Sequence, residues 1–334
     1  MIYINVKIVI AVNNYNIMNN LNNETVGDIS NRTAIYKFLH LFYSELFNKN
    51  LSFKQKFMRI SARTPLRDII CNIFCFFKKK NKKLLPINSD HFIGKIDSEK
   101  IFEDLKSKGQ STNLKLNKSV VSKILQRIEN EKFYVNREAV KVLNINMDQA
   151  GDESGKIYLR QKTINDKIYI MRLLNPHKTI REVNEIAHNL DIINAVKKYL
   201  KMEPLISSTQ IWCTFPHKDE NNNLINGPGN EFGYHYDVDD LKYLKLFFYL
   251  NNVDENSGPH VYIENNRNKT FGEFLDRRIS EATARKRYKN NIKVMLGSTG
   301  DGFIEDVSFY HKGTNPVKES GRKLLQIVYG IHHW

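Results

Sequence analysis

Gly233-Tyr234-His235-Tyr236-Asp237-Val238-Asp239-Asp240-Leu241 is the stretch whose conformation settles how the rest of the chain is read. Aromatic residues surround it and the loop Gly227-Pro228-Gly229 precedes it, so it reads as an extended strand. Side chains on a strand alternate between faces, which points His235 and Asp237 the same way and lets both grip one metal ion. Asp239 and Asp240 follow at once. Asp237 is one pleat from His235, whereas Asp240 is expected to face the other way.

One imidazole and one carboxylate are too few ligands for a metal. The third is expected from a distant strand folded back onto the first, and His311 is the best candidate. Two histidines and a carboxylate on one side of an iron leave the other side open for a chelating co-substrate and dioxygen, the arrangement of non-heme Fe(II) oxygenases. Arg322 opens the apolar strand Lys323–Tyr329. A guanidinium there can hold the far carboxylate of 2-oxoglutarate through two parallel hydrogen bonds, a geometry that lysine does not reproduce. Lys245, Phe247 and Tyr249 share one face of the next strand, Tyr243–Leu250. Lys245 is read first as an edge charge with its head in water, and second as another cation for the co-substrate. His260, directly after the Ser257-Gly258-Pro259 turn, is read as a structural or substrate-contacting histidine in preference to a metal ligand.

The ordered set of His-x-Asp, a Gly-Pro turn, Gly300-Asp301-Gly302-Phe303, His311-Lys312-Gly313 and Arg322 resembles the phytanoyl-CoA dioxygenase family of Fe(II)/2-oxoglutarate-dependent oxygenases. The resemblance runs from about Ile101 to the C-terminus and is strongest over residues 234–260 and 300–330. It implies an α+β fold built on a double-stranded β-helix, a jelly-roll or cupin-like barrel flanked by helices. Residue by residue, it puts the iron and the catalytic centre on His235, Asp237 and His311, and the co-substrate on Arg322. The implied reaction consumes O2 and 2-oxoglutarate, releases succinate and CO2, and hydroxylates a small-molecule, lipid-linked or glycan-linked substrate. Halogenating relatives replace the carboxylate with a small residue, so Asp237 points to hydroxylation. The sequence departs from a common pattern in which a hydroxyl residue two positions after the arginine also holds the carboxylate; Leu324 stands there. Gln326 or a tyrosine of a neighbouring strand, such as Tyr249, is expected to substitute. Trp212, Tyr234 and His260 are the candidate substrate contacts. Two other readings compete: a non-catalytic binding module of the same fold, and a cupin-type hydrolase or isomerase on zinc or manganese. The second of these does not need Arg322.

Length and composition set the frame. With 334 residues, 41% of them hydrophobic, the chain can hold one large domain and an extension. Residues 1–90 read as a helical, basic extension and residues 91–334 as the catalytic domain, with the boundary near Pro86. Met1–Val12 is apolar but has no basic leader, and is read as a strand or an irregular N-terminus, not a signal peptide. Asn13–Asn23 reads as loop, and Ile35, Phe38, Leu39, Phe42 and Leu46 recur at helical spacing. No apolar run reaches about eighteen residues, so no segment is expected to span a bilayer. Cys71, Cys75 and Cys213 give no disulfide framework, which fits a reducing cytoplasm.

Formal net charge is +15 and the excess lies towards the front. Thr64–Phe77 is largely apolar and runs into Lys78, Lys79, Lys80, Lys82 and Lys83. The first reading of residues 64–83 is a helix packed on the catalytic domain with a solvated basic end; the second is peripheral contact with an anionic membrane. Nucleic acid is not an expected partner, because no aromatic-basic platform accompanies the charge.

Between these landmarks, Asn117 or Ser119 can cap a helix reaching Ile128, and residues 156–160 and 167–172 look like strands. Ile180–Leu200 carries one apolar stripe and is expected as a single helix. Ser208–Phe215 is expected as the strand leading into the site and residues 218–230 as a lid or substrate loop. Residues 271–290 are expected as a solvated helical insertion. The glycines of Gly300–Phe303 are expected to turn the chain, and His332 and His333 to lie outside the site.

Overall fold

The structure is a computed structural model that describes residues 34–77, 83–88, 90–92, 94–136, 156–159, 168–219, 223–224, 233–266, 269 and 271–331. The expectations for residues 1–33 and 78–82, for most of the 218–230 loop and for His332 and His333 fall outside the described residues.

Three helices come first: α1 (Ala34–Leu46), α2 (Phe53–Ala62) and α3 (Arg67–Phe77). At the start of α2 the Ser52 hydroxyl accepts from Gln55 N while the Gln55 side chain accepts from Ser52 N, a reciprocal cap that satisfies two otherwise unpaired amides. Then follow α4 (Ser98–Lys108), β1 (Gln110–Lys115), α5 (Lys118–Ile128), β2 (Lys132–Val135), β3 (Lys156–Tyr158), β4 (Ile170–Leu174), α6 (Arg181–Ala187) and α7 (Leu190–Leu200). The remainder is β5 (Leu205–Thr214), β6 (Tyr234–His235), β7 (Leu244–Tyr249), β8 (His260–Ile263), α8 (Phe271–Leu275), β9 (Arg278–Ile279), α9 (Glu281–Tyr288), β10 (Ile292–Met295), β11 (Asp301–Asp306), β12 (His311–Gly313) and β13 (Arg322–Gly330).

The strands form an eight-stranded sheet, ordered β1-β11-β7-β13-β5-β4-β2-β3, and a five-stranded sheet, ordered β10-β8-β12-β6-β9. Every pairing between these strands is antiparallel. Register decides which side chains share a face: Trp212, Leu324 and Tyr249 align across β5, β13 and β7, as do Gln210, Gln326 and Phe247, and Lys245 lies opposite Glu305 on β11. Alternation sends the intervening residues to the other side. There Ile211, Leu246, Phe248, Ile304, Leu325, Ile327 and Tyr329 join Val121, Ile124, Val183, Ile192 and Val196 of α5, α6 and α7 in the main core. Polar contacts run between the sheets on the opposite face: Tyr249 donates to Met295 O at 2.7 Å and His260 meets Glu305 at 2.9 Å. The two sheets therefore face one another across a partly polar interior.

Two helical expectations are corrected. Residues 180–200 form two helices, because the Asn189 side-chain oxygen accepts from Asp191 N (3.1 Å) and Ile192 N (3.2 Å) and starts α7 afresh. Residues 271–290 are not one solvated helix. They run α8, β9, α9, with Ser280 capping α9 through Thr283 N, and β9 adds to the five-stranded sheet so that Arg278 lies opposite His235. Asn117 stands at the start of α5 without capping it; its side chain donates instead to Asp90 O at 2.6 Å. In the Gly300–Phe303 segment Gly300 makes the turn at φ 93°, and β11 has already begun at Asp301.

Candidate metal centre

β6 is only two residues long, yet it sets the site. His235 and His311 are directly opposed partners in the β6–β12 pairing, with ring centroids 4.7 Å apart. Beyond β6 the backbone is held by Tyr236 N donating to Arg277 O and Asp237 N donating to Val307 O at 2.8 Å, so Asp237 returns under both rings. His235 Nε2 is 3.7 Å from Asp237 Oδ1, and His311 Nε2 is 3.5 Å from Asp237 Oδ2. One ligand atom from each of the three lies within 4.8 Å of the others, a group that can hold a metal ion. Ligands at right angles on one ion, about 2.1 Å from it, stand roughly 3 Å apart, so the observed spacing needs only a small contraction.

The proton inventory suits metal ligation. His311 Nδ1 donates to Phe309 O at 3.0 Å, which turns Nε2 to Asp237; burial opposes a charge on this ring, but the carboxylate outweighs it and raises the imidazole pKa, so a metal ion would take the place of the Nε2 proton. Burial, with His311 beside it, pushes His235 down to about 3, so this imidazole is neutral. Burial favours a protonated Asp237, but Lys245 and His311 outweigh it and hold the carboxyl well below the usual range. Asp240 plays no part; its carboxylate accepts from Ile331 N and Leu241 N, both at 2.7 Å.

The edge reading of Lys245 is wrong. Its ammonium lies 2.5 Å from Asp237 Oδ2, and that carboxylate raises the lysine pKa against the opposing effect of burial. Strand alternation already turns Lys245 into the interior, and a buried ammonium there needs an acid. His260 is also interior: its ring stacks on His311 at 5.6 Å and its Nε2 meets the fully buried Glu305. Burial lowers its pKa, Glu305 opposing.

Arg322 is 8% exposed and lies beneath β12: a Cβ built on Gly313, two residues past His311, would stand 3.3 Å from Arg322 Nη2. Its Nε and Nη1 are buried with no hydrogen-bond partner, and no carboxylate pairs with it among the described residues. Burial lowers the guanidinium pKa, and only the Tyr249 phenol opposes. Gln326 and Trp212 share the inner face with it, and Trp212 Nε1 is a second buried donor without a partner. Trp212 also carries the Arg172 guanidinium over its ring at 5.3 Å. Leu324 is buried between Trp212 and Tyr249. Tyr234 is not brought into this group. It lies on the opposite face of β6 from His235, under Lys312 Nζ at 4.7 Å from its ring. Sequence reading missed Glu305 and Gly313, although an acid in the otherwise apolar run Gly302-Phe303-Ile304-Glu305 is a signal of an inward polar role.

No family model matches the sequence, and no curated protein matches it. Among solved structures, the chain is similar to HygX from Streptomyces hygroscopicus, solved with nickel and 2-oxoglutarate, at 11% identity over 71% of this chain and 87% of that one, TM-score 0.43. It is similar to SnoN, a non-heme alpha-ketoglutarate-dependent epimerase from nogalamycin biosynthesis, at 11% identity over 70% and 82%, TM-score 0.45. AviO1 from Streptomyces viridochromogenes Tue57 matches at 13% identity over 71% and 96%, TM-score 0.41. Likenesses this distant carry nothing about reaction or substrate.

Proposed function

We propose that the chain is an Fe(II)- and 2-oxoglutarate-dependent dioxygenase of the phytanoyl-CoA dioxygenase type, with residues 91–334 as the catalytic domain and the two facing sheets as its double-stranded β-helix. The observation that supports this reading is the Arg322 guanidinium, buried without an acid among the described residues and near a His-Asp-His group. A buried cation is tolerated where a bound anion completes it. A dicarboxylate such as 2-oxoglutarate can set one carboxylate on the guanidinium and leave its other end for the metal.

His235, Asp237 and His311 would hold the iron, which when bound supplies the activation of O2 coupled to decarboxylation of 2-oxoglutarate. The chain's own share is binding and orientation. Lys245 keeps Asp237 ionised, and the Phe309 carbonyl holds His311 Nδ1 so that Nε2 is the nitrogen turned to the metal position. The Tyr249 hydroxyl is already spent on Met295 O, which makes the Gln326 amide the better substitute for the hydroxyl that Leu324 lacks. His260 and Trp212, on the inner walls, are the substrate-side contacts; Tyr234 faces away. Hydroxylation of a small-molecule, lipid-linked or glycan-linked substrate is the reaction assigned.

The test is succinate formation by the full chain supplied with 2-oxoglutarate, O2 and a metal. Turnover that requires Fe(II) and is lost in Arg322→Ala is the expected result. Turnover on zinc or manganese without 2-oxoglutarate would replace this reading with the hydrolase or isomerase; absence of succinate together with unaltered 2-oxoglutarate binding in Arg322→Ala would remove it.

A further inference from the structure

The three leading helices wear their apolar residues on the outside. Along α1 the buried positions are Lys37, Leu41 and Glu45, with Lys37 on Asp276 and Glu45 on Arg59, each at 2.7 Å. The exposed positions are Leu39, Phe42 and Leu46. α2 buries Met58, Ser61 and Ala62 and exposes Phe53 (79%) and Phe57; α3 buries Arg67 and Cys71 and exposes Ile69, Ile73 and Phe76 (83%). Spacings of three or four residues put each set on one stripe of its helix. Successive helices touch one another, and two arginines anchor them below: the buried Arg67 donates through Nε to Leu241 O at 2.5 Å and the half-buried Arg63 to Leu275 O at 2.9 Å. Soluble monomers rarely leave this much large apolar surface uncovered on adjacent elements.

Charge indicates what covers it. Lys49, before α2, and Lys54, on it, are exposed, as is Lys83, six residues past α3 in the sequence, and Asp68 is the only acid in residues 49–83. A second copy would bring lysine against lysine, which disfavours self-association through this face. Bulky apolar side chains bordered by lysines suit the boundary between acyl chains and anionic headgroups. We propose that the outward face of α1–α3 docks on an anionic lipid bilayer, with Phe53, Phe57, Ile73 and Phe76 entering the headgroup region and Lys49, Lys54 and Lys83 meeting the phosphates. The contact is peripheral among the described residues, where no helix is long and apolar enough to cross a membrane.

Flotation of the full chain with phosphatidylcholine vesicles, with and without about 30% phosphatidylglycerol, tests this. The chain is expected to float with the anionic vesicles and to partition at least about tenfold less onto neutral ones or in about 0.5 M salt. Phe53→Ser with Phe57→Ser and Phe76→Ser should lower partitioning at least about tenfold at unchanged thermal midpoint, since the three side chains are exposed. Lys49→Ser with Lys54→Ser and Lys83→Ser should lower it several-fold on anionic vesicles alone. A full-length chain that does not float with anionic vesicles overturns the proposal. So does a phenylalanine variant that floats like the wild type, or a wild-type dimer in sedimentation velocity that the phenylalanine variant renders monomeric.

Discussion

Two cations enter the same interior from the same sheet, the largely buried Lys245 on β7 and the buried Arg322 on β13, and they are treated oppositely. Lys245 has its acid: Asp237 lies 2.5 Å away and raises the ammonium pKa. Arg322 has none among the described residues, and burial lowers its pKa. The first cation is satisfied by the fold. The second is, on the function proposed above, left for the co-substrate. A site that needs a carboxylate ligand shows itself as a buried charge the protein does not neutralise, whereas one next to a metal carboxylate shows itself as a charge already shared.

That contrast predicts changes of opposite sign. Asp237→Ala strands Lys245, so stability in urea denaturation should fall by ~3–5 kcal/mol, as for other buried pairs broken from one side. Metal binding by calorimetric titration should vanish. The double variant Asp237→Ala with Lys245→Met should regain most of the stability and none of the metal binding; a single variant as stable as the wild type would break the pairing argument. Arg322→Met should go the other way for the ligand-free protein, raising stability by ~1–4 kcal/mol because an uncompensated charge is replaced by a well-packed apolar chain. Its 2-oxoglutarate affinity, measured on metal-loaded protein, should fall by ~2–5 kcal/mol. A loss of ligand-free stability in Arg322→Met would mean that the guanidinium has a protein partner after all.

A third charge sharpens the comparison at smaller amplitude. Glu305 lies opposite Lys245 in register but hydrogen-bonds His260, whose ring stacks on His311. Glu305→Gln keeps the shape and loses the charge-assisted bond, so stability should drop by ~1–2 kcal/mol. Metal affinity should change less than about threefold if His260 only buttresses His311. A loss as large as that of Asp237→Ala would promote Glu305 to the binding group.

Much of the centre was legible because strand alternation is local. It turns Lys245 inward and, applied one residue before His235, puts the buried Tyr234 on the other face of β6; Asp237 lies beyond the two-residue β6 and is aligned by its N–H donating to Val307 O. What it cannot supply is register between distant strands. The pairing of β6 with β12 that opposes His235 to His311, and of β11 with β7 that brings Glu305 beside Lys245, is tertiary information. The fold shows the same division. The stripe over residues 180–200 was visible, but the Asn189 cap that divides it is a single side-chain choice hidden inside an unbroken period. For α1 the spacing of Phe38, Leu39, Phe42 and Leu46 marks a stripe without saying which medium covers it, and the protein interior took Lys37 and Glu45 instead.

The finest test of the unpaired cation leaves every charge in place. A Cβ at Gly313 would stand 3.3 Å from Arg322 Nη2, tighter than an ordinary contact, while the glycine backbone there is extended and open to any residue. Gly313→Ala should therefore cost little in the ligand-free chain. Crowding of the guanidinium opposes a gain of ~0.4–1 kcal/mol from the stiffened unfolded state, so net stability should stay within ~1 kcal/mol of wild type. Metal binding should not move, because His311 keeps its backbone and its bond to Phe309 O. The bidentate geometry that a carboxylate demands of Arg322 is less forgiving than the empty rotamer, and a displacement of a few tenths of an ångström should weaken 2-oxoglutarate binding by about two- to tenfold. Equal weakening of metal and 2-oxoglutarate would place the effect in β12 as a whole, and the guanidinium would lose its claim to act separately from the triad.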